Sequence, residues 1–435
     1  MRHDQIGMMS NDEAHSIALK GVNVGVTLAG LMAETHLEQR YCNETGANLE
    51  IAYTFPLPVD GVLLHFEIEL NGKAHTGHVV PRKEAEKEYE AAIEKGDAAF
   101  RLQRLSDGLF SASLGNIKDG DEAIVRLVWV ETLSWNGNAM RYRLPTTLAP
   151  RYGSPDKLQP WQRPVADTVV EYPLSLKLSL LGDLAKGKYE CPTHRVSFSV
   201  VEKGIDVVLN DAYMDRDFVL EIQPQGIESI GLVASHENQS VVALNFLPPA
   251  VNGESIVKGK NFVMVLDCSG SMAGDSINQA KEGIRLALMK LMPEDRFALI
   301  GFGSTYQSFH DVLLPANRKN IKLAHEFVKN LPDMGGTEMM TALEAALGYS
   351  TSKDDGIALP VDVLLLTDGE AWGMESIADE AKVAGHRIFT VGIGSAVSED
   401  VVRTLADTTG GACELVTPNE NMAQRIERHF LRMRP

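Results

Sequence analysis

The C-terminal part of the chain alternates short, uninterrupted apolar runs with segments of helical periodicity. The apolar runs are 262–266, 297–300, 361–366 and 387–391, and the helical segments are 277–291, 319–330, 339–348, 374–384 and 399–408. An apolar run of this kind is typical of a central parallel strand that is covered on both faces. Strands that alternate with helices predict a doubly wound α/β sheet, whose ligands bind beyond the carboxyl ends of the strands.

The first part of the chain has a different pattern. Apolar and polar residues alternate over much of 15–150, as in 62–70, which is typical of half-buried strands. The Asn71-Gly72 pair that follows predicts a hairpin turn. One helical segment, 83–94, interrupts the strands, and Gly96 is its predicted C-terminal stop.

Residues 151–164 are rich in Pro, Gly and charge, and they predict a connector. Short alternating runs then resume at 169–181, 196–202, 205–209, 217–222 and 240–246. We therefore predict a multidomain α+β chain. Its parts are a β-rich region over 1–155, a β-rich middle region over 156–257, and a doubly wound α/β domain over 258–435.

Composition limits the function classes. With 44% hydrophobic and 23% charged residues, the chain is predicted to be globular and not disordered. The 59 acidic residues outnumber the 41 basic ones, which argues against nucleic acid or an anionic membrane as partner. The four cysteines form no C-x-x-C pair. The sequence has no apolar signal segment and no membrane-spanning run, so we expect no membrane insertion and a cytoplasmic location. Secretion is left open if the sequence is a trimmed form of a longer protein.

Polar side chains with oxygen ligands follow the predicted parallel strands. Asp267, Ser269 and Ser271 come at the end of the first strand and, as alternate residues of an extended segment, can point to one side. Thr337 lies in a Gly-Gly-Thr loop, and Asp368 follows another strand. Each motif alone is typical of a helix cap or a turn. Together they predict a site for a hard cation: Mg²⁺, Mn²⁺ or Ca²⁺.

The motifs D-C-S-G-S at 267–271, G-G-T at 335–337 and T-D-G at 367–369 resemble the metal-ion-dependent adhesion site of von Willebrand factor A domains. The resemblance implies that Ser269, Ser271 and Thr337 bind the metal through their hydroxyls. It also implies that Asp267 and Asp368 act largely through bound water. One coordination position is then left for an acidic side chain of a partner protein.

The N-terminal region has its own resemblance. Tyr-Cys-Asn at 41–43, Tyr-Thr-Phe-Pro-Leu-Pro at 53–58, Tyr-Glu-Ala-Ala-Ile at 89–93 and Gly-Asn-Ile at 115–117 are similar to vault-protein/inter-alpha-trypsin (VIT) domains. A VIT domain followed by an A domain resembles the inter-alpha-trypsin inhibitor heavy chains and their bacterial counterparts. The heavy chains are joined to a glycosaminoglycan beyond the A domain. Because this sequence stops at Pro435, we do not expect that linkage here.

Two functions are compatible with these residues. The first is a non-enzymatic adhesion or protein-interaction module, in which the cation binds an Asp or Glu of a protein partner. The second is a metal-assisted hydrolase that activates water at the open metal position. Hydrolysis would need a general base, but no motif places a His or a free Glu beside the site, and Glu370 is only the nearest candidate. We therefore expect a binding protein and not an enzyme.

Overall fold

The structure is a computed structural model, and the chain divides into two compact units, Met1–Val251 and Asn252–Pro435. The described residues are 8–10, 16–77, 99–106, 109–133, 135–136, 139–146, 172–225, 229–236, 239–246, 259–349, 360–368, 374–394, 397–417 and 420–434. The predicted helix at 83–94, its stop Gly96, the connector at 151–164 and the predicted domain boundary at 257/258 lie outside them.

All eighteen described strands of the first unit belong to antiparallel or mixed sheets. They are β1 Met8–Ser10, β2 Ser16–Ala29, β3 Met32–Cys42, β4 Leu49–Pro56, β5 Val62–Leu70, β6 Lys73–Thr76, β7 Ala99–Ser106, β8 Leu109–Ile117, β9 Glu122–Thr132, β10 Trp135–Asn136, β11 Ala139–Leu144, β12 Pro173–Leu181, β13 Gly187–Glu190, β14 Ser197–Val201, β15 Gly204–Tyr213, β16 Phe218–Pro224, β17 Ser229–His236 and β18 Gln239–Phe246. As predicted, a hairpin turn joins β5 to β6. Both of its residues, Asn71 and Gly72, have positive φ, at 47° and 79°.

The largest sheet has the strand order β6-β5-β9-β3-β2-β1-β4-β8-β7, and β12, β15 and β14 continue it beside β2. Strand β12 runs parallel to β2, with Leu174 opposite Val22. A second sheet pairs β11 with β16. The two β-rich regions therefore share two sheets inside one compact unit, instead of forming the two separate units that we expected. Pairing between strands so distant in sequence leaves no trace in local periodicity.

The second unit contains the predicted doubly wound sheet. Its strands are β19 Asn261–Asp267, β20 Arg296–Phe302, β21 Tyr306–Ser308, β22 Leu314–Pro315, β23 Asp362–Thr367, β24 Arg387–Ile393 and β25 Cys413–Val416. The order is β21-β20-β19-β23-β24-β25, with β22 also on β20, and the long strands are parallel. The carboxyl ends of β19, β20 and β23 therefore meet at one edge of the sheet.

Helices cover both faces of this sheet. They are α1 Asp275–Leu288, α2 Arg318–Asn330, α3 Met339–Gly348, α4 Glu375–Val383, α5 Glu399–Thr409 and α6 Met422–Arg432. Alternate residues of β19 point to opposite faces, so Phe262, Met264 and Leu266 pack with α1, α2 and α6, whereas Val263 and Val265 pack with α3, α4 and α5. Helix α6 was not among the predicted helices. None of the described helices has the length and apolar character needed to cross a bilayer.

The start and the end of the second unit are held by one carboxylate. Asp295 accepts a hydrogen bond from the backbone N–H of Lys260 at 3.1 Å, and the guanidinium of Arg434 donates to the same carboxylate. The Lys260 ammonium donates to the Met433 carbonyl at 2.7 Å, and the Arg434 guanidinium lies 5.2 Å from the centre of the Phe262 ring. This group, called the Asp295 clasp below, lies beside the first residue of β19, whereas the predicted metal residues lie at the other end of that strand.

Candidate metal centre

Asp267 is the last residue of β19, and its carboxylate is fully buried. Oδ1 accepts a hydrogen bond from the Ser269 N–H at 2.9 Å, and Oδ2 accepts one from the Thr367 hydroxyl at 2.6 Å. Because each oxygen has its own donor from a different segment, the carboxylate is fixed in orientation. Burial raises the pKa of Asp267 to about 6, the hydrogen bonds from Ser269 and Thr367 lower it, and the nearby charge of Asp368 raises it.

The two serine hydroxyls of the first loop lie together. Ser269 Oγ and Ser271 Oγ are 3.1 Å apart, with Ser269 buried and Ser271 exposed. The prediction that they converge as alternate residues of an extended segment is wrong. Only Ser269 is extended, and a short 3-10 helix over Gly270–Met272 then turns the chain and brings Ser271 back beside Ser269. The pair offers one oxygen from the interior and one from the surface.

Thr337 lies in a loop that is fastened to the first one. The Met334 N–H donates to the Cys268 carbonyl at 2.8 Å, and the Gly270 N–H donates to the Gly335 carbonyl at 2.8 Å. Two backbone hydrogen bonds therefore place the loop of Thr337 against the serine loop. Thr337 itself is half-buried, and its hydroxyl makes no hydrogen bond among those described.

Asp368 follows β23 at the same edge of the sheet and is only 7% exposed. Its backbone carbonyl accepts a hydrogen bond from the Ser398 N–H at 3.1 Å, but its Oδ1 is buried and has no hydrogen-bond partner among the described residues. A buried carboxylate oxygen without a donor is unfavourable, and a second carboxylate nearby makes it more so. A bound cation would remove both costs.

The donor set determines which cations fit. The five predicted residues supply two carboxylates and three hydroxyls, all of them oxygen donors, which suits Mg²⁺, Mn²⁺ or Ca²⁺ better than a softer metal. Among the described residues there is no group of three or more His, Cys, Asp and Glu side chains that could hold a metal. A metal at this edge would therefore depend on the hydroxyls. Together with the Asp368 oxygen, for which no described residue supplies a hydrogen bond, this donor set fits a hard divalent cation.

Sequence reasoning missed two hydroxyls at this edge. Thr367 donates to Asp267, and its place at the end of β23 is a signal that the turn motif T-D-G alone does not convey. Ser304 lies just after β20, and its Oγ accepts a hydrogen bond from the Gly336 N–H at 2.8 Å. No motif spacing indicates Ser304. Glu370, the candidate base of the hydrolase alternative, lies outside the described residues.

Comparison with known domain families agrees with these units. The family model of the vault protein inter-alpha-trypsin domain matches residues 19–129, and that of the von Willebrand factor type A domain matches residues 261–428. This chain combines a VIT domain with a von Willebrand factor type A domain. The A domain carries the site described above. In general terms such domains are protein-interaction modules, and they commonly bind a divalent cation.

Similar proteins match most of this chain. Von Willebrand factor A domain-containing protein 5A of Rattus norvegicus is 28% identical, with 93% of this chain and 53% of that protein covered. A von Willebrand factor A domain-containing protein of Dictyostelium discoideum is 26% identical, with coverages of 89% and 42%. The chain thus spans about half the length of the curated relatives it matches. A solved von Willebrand factor type A structure from Catenulispora acidiphila is 22% identical, with a TM-score of 0.36. The match covers 47% of this chain and 46% of that chain.

Proposed function

We propose that the A domain binds a divalent cation and, through it, an Asp or Glu side chain of a protein partner. Mg²⁺ is the first candidate, and Mn²⁺ and Ca²⁺ are the alternatives. The residues that would hold the ion are Asp267, Ser269, Ser271, Thr337 and Asp368. When bound, the ion supplies an electrophilic centre for the partner's carboxylate.

The observation that carries this proposal is the buried Oδ1 of Asp368, which has no hydrogen-bond partner in the part of the chain that the structure describes. Most buried polar atoms find a partner, so an orphaned carboxylate oxygen indicates a missing ligand. Ser269 and Ser271 at the same sheet edge add two hydroxyl oxygens 3.1 Å apart. A water molecule could donate a hydrogen bond to Asp368 Oδ1, but it would leave the charges of Asp267 and Asp368 uncompensated. A cation would bind this oxygen and also compensate both charges.

The charge balance of the donor set supports a carboxylate as the partner's group. Three of the five proposed ligands, Ser269, Ser271 and Thr337, are neutral hydroxyls. The two carboxylates at most offset the charge of a divalent ion, and much less so where they act through water. The ion therefore keeps an attraction for a further anionic oxygen.

We favour binding over hydrolysis because the Asp267 carboxylate is already engaged by two hydrogen bonds and Asp368 would be engaged by the ion. Both oxygens of Asp267 accept hydrogen bonds, from Ser269 and from Thr367, so this group is held as an orienting residue and not as a proton acceptor. Turnover assays with ester and phosphate substrates in the presence of Mg²⁺ test this choice. Turnover that is lost in Asp368→Asn would replace the binding proposal with the hydrolase.

The direct experiment is calorimetric titration of the full chain with Mg²⁺ and Mn²⁺, for the wild type and for Asp368→Asn. The matched control is Asp379→Asn, which removes an exposed carboxylate on α4. We expect the wild type and the control to bind one ion and Asp368→Asn to bind at least about tenfold more weakly. Pull-down in Mg²⁺ and in EDTA, with the same variants and mass spectrometry, then tests the partner. A partner retained equally in EDTA and by Asp368→Asn contradicts metal-mediated binding.

A further inference from the structure

Ser304 joins the turn after β20 to the loop of Thr337. Its Oγ accepts a hydrogen bond from the Gly336 N–H at 2.8 Å, and its own N–H donates to the Met334 carbonyl at 2.8 Å. Gly336 is the residue directly before Thr337. The hydroxyl of Ser304 therefore holds the backbone directly before Thr337, the proposed metal ligand.

The two segments are in close contact at this point. A Cβ atom added at Gly335 would lie 2.9 Å from Ser304 Oγ, and one added at Gly336 would lie 3.2 Å from the same atom. A Cβ at Gly303 would lie 2.4 Å from the Cβ of Met334. Gly335 also has a φ of +80°, which favours glycine. The glycines thus allow the Ser304 hydroxyl to reach the loop backbone directly.

Two side chains hold the amides of this loop, and only one of them is neutral. Asp333 Oδ1 accepts from the Gly335 N–H at 2.9 Å, and Ser304 accepts from the next amide, that of Gly336. The charge of Asp333 contributes to the raised pKa of Cys268, after burial as the main cause, so its removal would also change the electrostatics of the first loop. Ser304 carries no charge, so its substitution leaves the charge of the site unchanged.

We propose that Ser304 is a positioning residue of the cation site, whose hydroxyl holds the 333–338 loop so that Thr337 can reach the ion. The inference rests on the proposed function, but it concerns a residue outside the five proposed ligands. Ser304 does not contact the ion. It acts through the backbone of Gly336, as residues that orient metal ligands commonly do.

The test compares Ser304→Ala with Thr305→Ala in the full chain. Thr305 is the neighbouring exposed residue on the same turn, and its hydroxyl makes no described hydrogen bond. In EDTA, hydrogen exchange resolved to single amides should become about fivefold faster at Gly336 in Ser304→Ala, the change expected for one ordinary hydrogen bond. In calorimetry, Ser304→Ala should bind Mg²⁺ about tenfold more weakly than wild type. Thr305→Ala should match wild type in both measurements.

Ser304→Cys provides a second variant if Ser304→Ala folds poorly. It keeps the size of the side chain with a weaker acceptor, so both effects should be intermediate. Unchanged exchange at Gly336 in either variant overturns the proposed role. So does wild-type Mg²⁺ affinity in a variant whose exchange has increased. If the wild type itself binds neither Mg²⁺ nor Mn²⁺, the proposed function fails, and the exchange data still decide whether Ser304 holds the loop.

Discussion

Replacing Asp267 by Asn should stabilise the A domain in the absence of metal and remove the stabilisation that metal gives to the wild type. In the metal-free protein the buried charge of Asp267 is unfavourable, since burial raises the pKa of this carboxyl to about 6 from its ordinary value of 3.8. The folded state therefore holds a proton on this group more tightly than the unfolded state does. It follows that the folded protein is most stable below pH 3.8 with respect to this group, and that its stability falls up to about pH 6 and stays lower above it.

The size of the effect follows from the same values. The difference between about 6 and 3.8 is about 2.2 pH units, which corresponds to at most about 3 kcal/mol at about 1.36 kcal/mol per unit. Asn keeps an oxygen for the Ser269 N–H, and the Thr367 hydroxyl can rotate to accept from the new amide. We therefore expect Asp267→Asn to raise the unfolding free energy by about 1–3 kcal/mol in EDTA at pH 7.5. With Mg²⁺ at ~100 times Kd, the wild type should gain about 2.7 kcal/mol and the variant almost none.

The assay is urea unfolding of the full chain, monitored by hydrogen exchange and mass spectrometry. Peptides from β19 report on the unfolding of the A domain separately from the rest of the chain. Asp379→Asn serves as the control and should behave as wild type in both conditions. If Asp267→Asn is the less stable protein in EDTA, the buried charge is not the dominant cost at this site. If Mg²⁺ stabilises Asp267→Asn as much as wild type, the ion binds elsewhere.

Three further predictions concern residues of the A domain other than the five proposed ligands. Burial lowers the pKa of His429 to about 3 from its ordinary value of 6.5, so the contribution of this group to the free energy of unfolding is complete above pH 6.5 and decreases below it. At pH 5, urea unfolding should show a loss of about 2 kcal/mol that is absent in His429→Gln. Gly283→Ala would put a Cβ 2.5 Å from Ile426 Cδ1 and should lower the unfolding free energy by about 1–3 kcal/mol, whereas an unchanged urea midpoint would show that α1 and α6 move apart freely. Burial raises the pKa of Cys268 to about 12, so iodoacetamide at pH 8 should label it only in urea, and rapid labelling of the native protein would contradict its burial.

The sequence was sufficient for the doubly wound domain because its signal is local. Four apolar runs matched β19, β20, β23 and β24, and the order of the motifs placed the five proposed ligands at one sheet edge. Strand and helix alternation leaves few arrangements open. The ends of helices α1 to α5 were predicted within a few residues for the same reason, whereas α6 was missed. For α3 the predicted span, 339–348, is the observed one.

Contacts between residues that are distant in sequence could not be predicted from local patterns. The pairing of β12 with β2 joins Leu174 to Val22, and no periodicity in either strand specifies the other. The turn that brings Ser271 beside Ser269 depends on backbone contacts with the later loop, including the bond from Gly270 to Gly335. Ser304 was missed because its role exists only once two distant segments meet. What was missed is thus mainly what depends on tertiary contact.

The Asp295 clasp determines how the A domain would respond to mechanical tension. Lys260 and Arg434 are held by one carboxylate beside the first residue of β19, and Asp267 ends the same strand, about 20 Å away for seven extended residues. A partner that pulls at the metal edge against either end of the domain therefore stretches β19 along its own axis. Its hydrogen bonds to β20 and β23 lie across that axis on both sides. They are sheared together instead of being opened one at a time, so the central strand is the element best placed to resist the force.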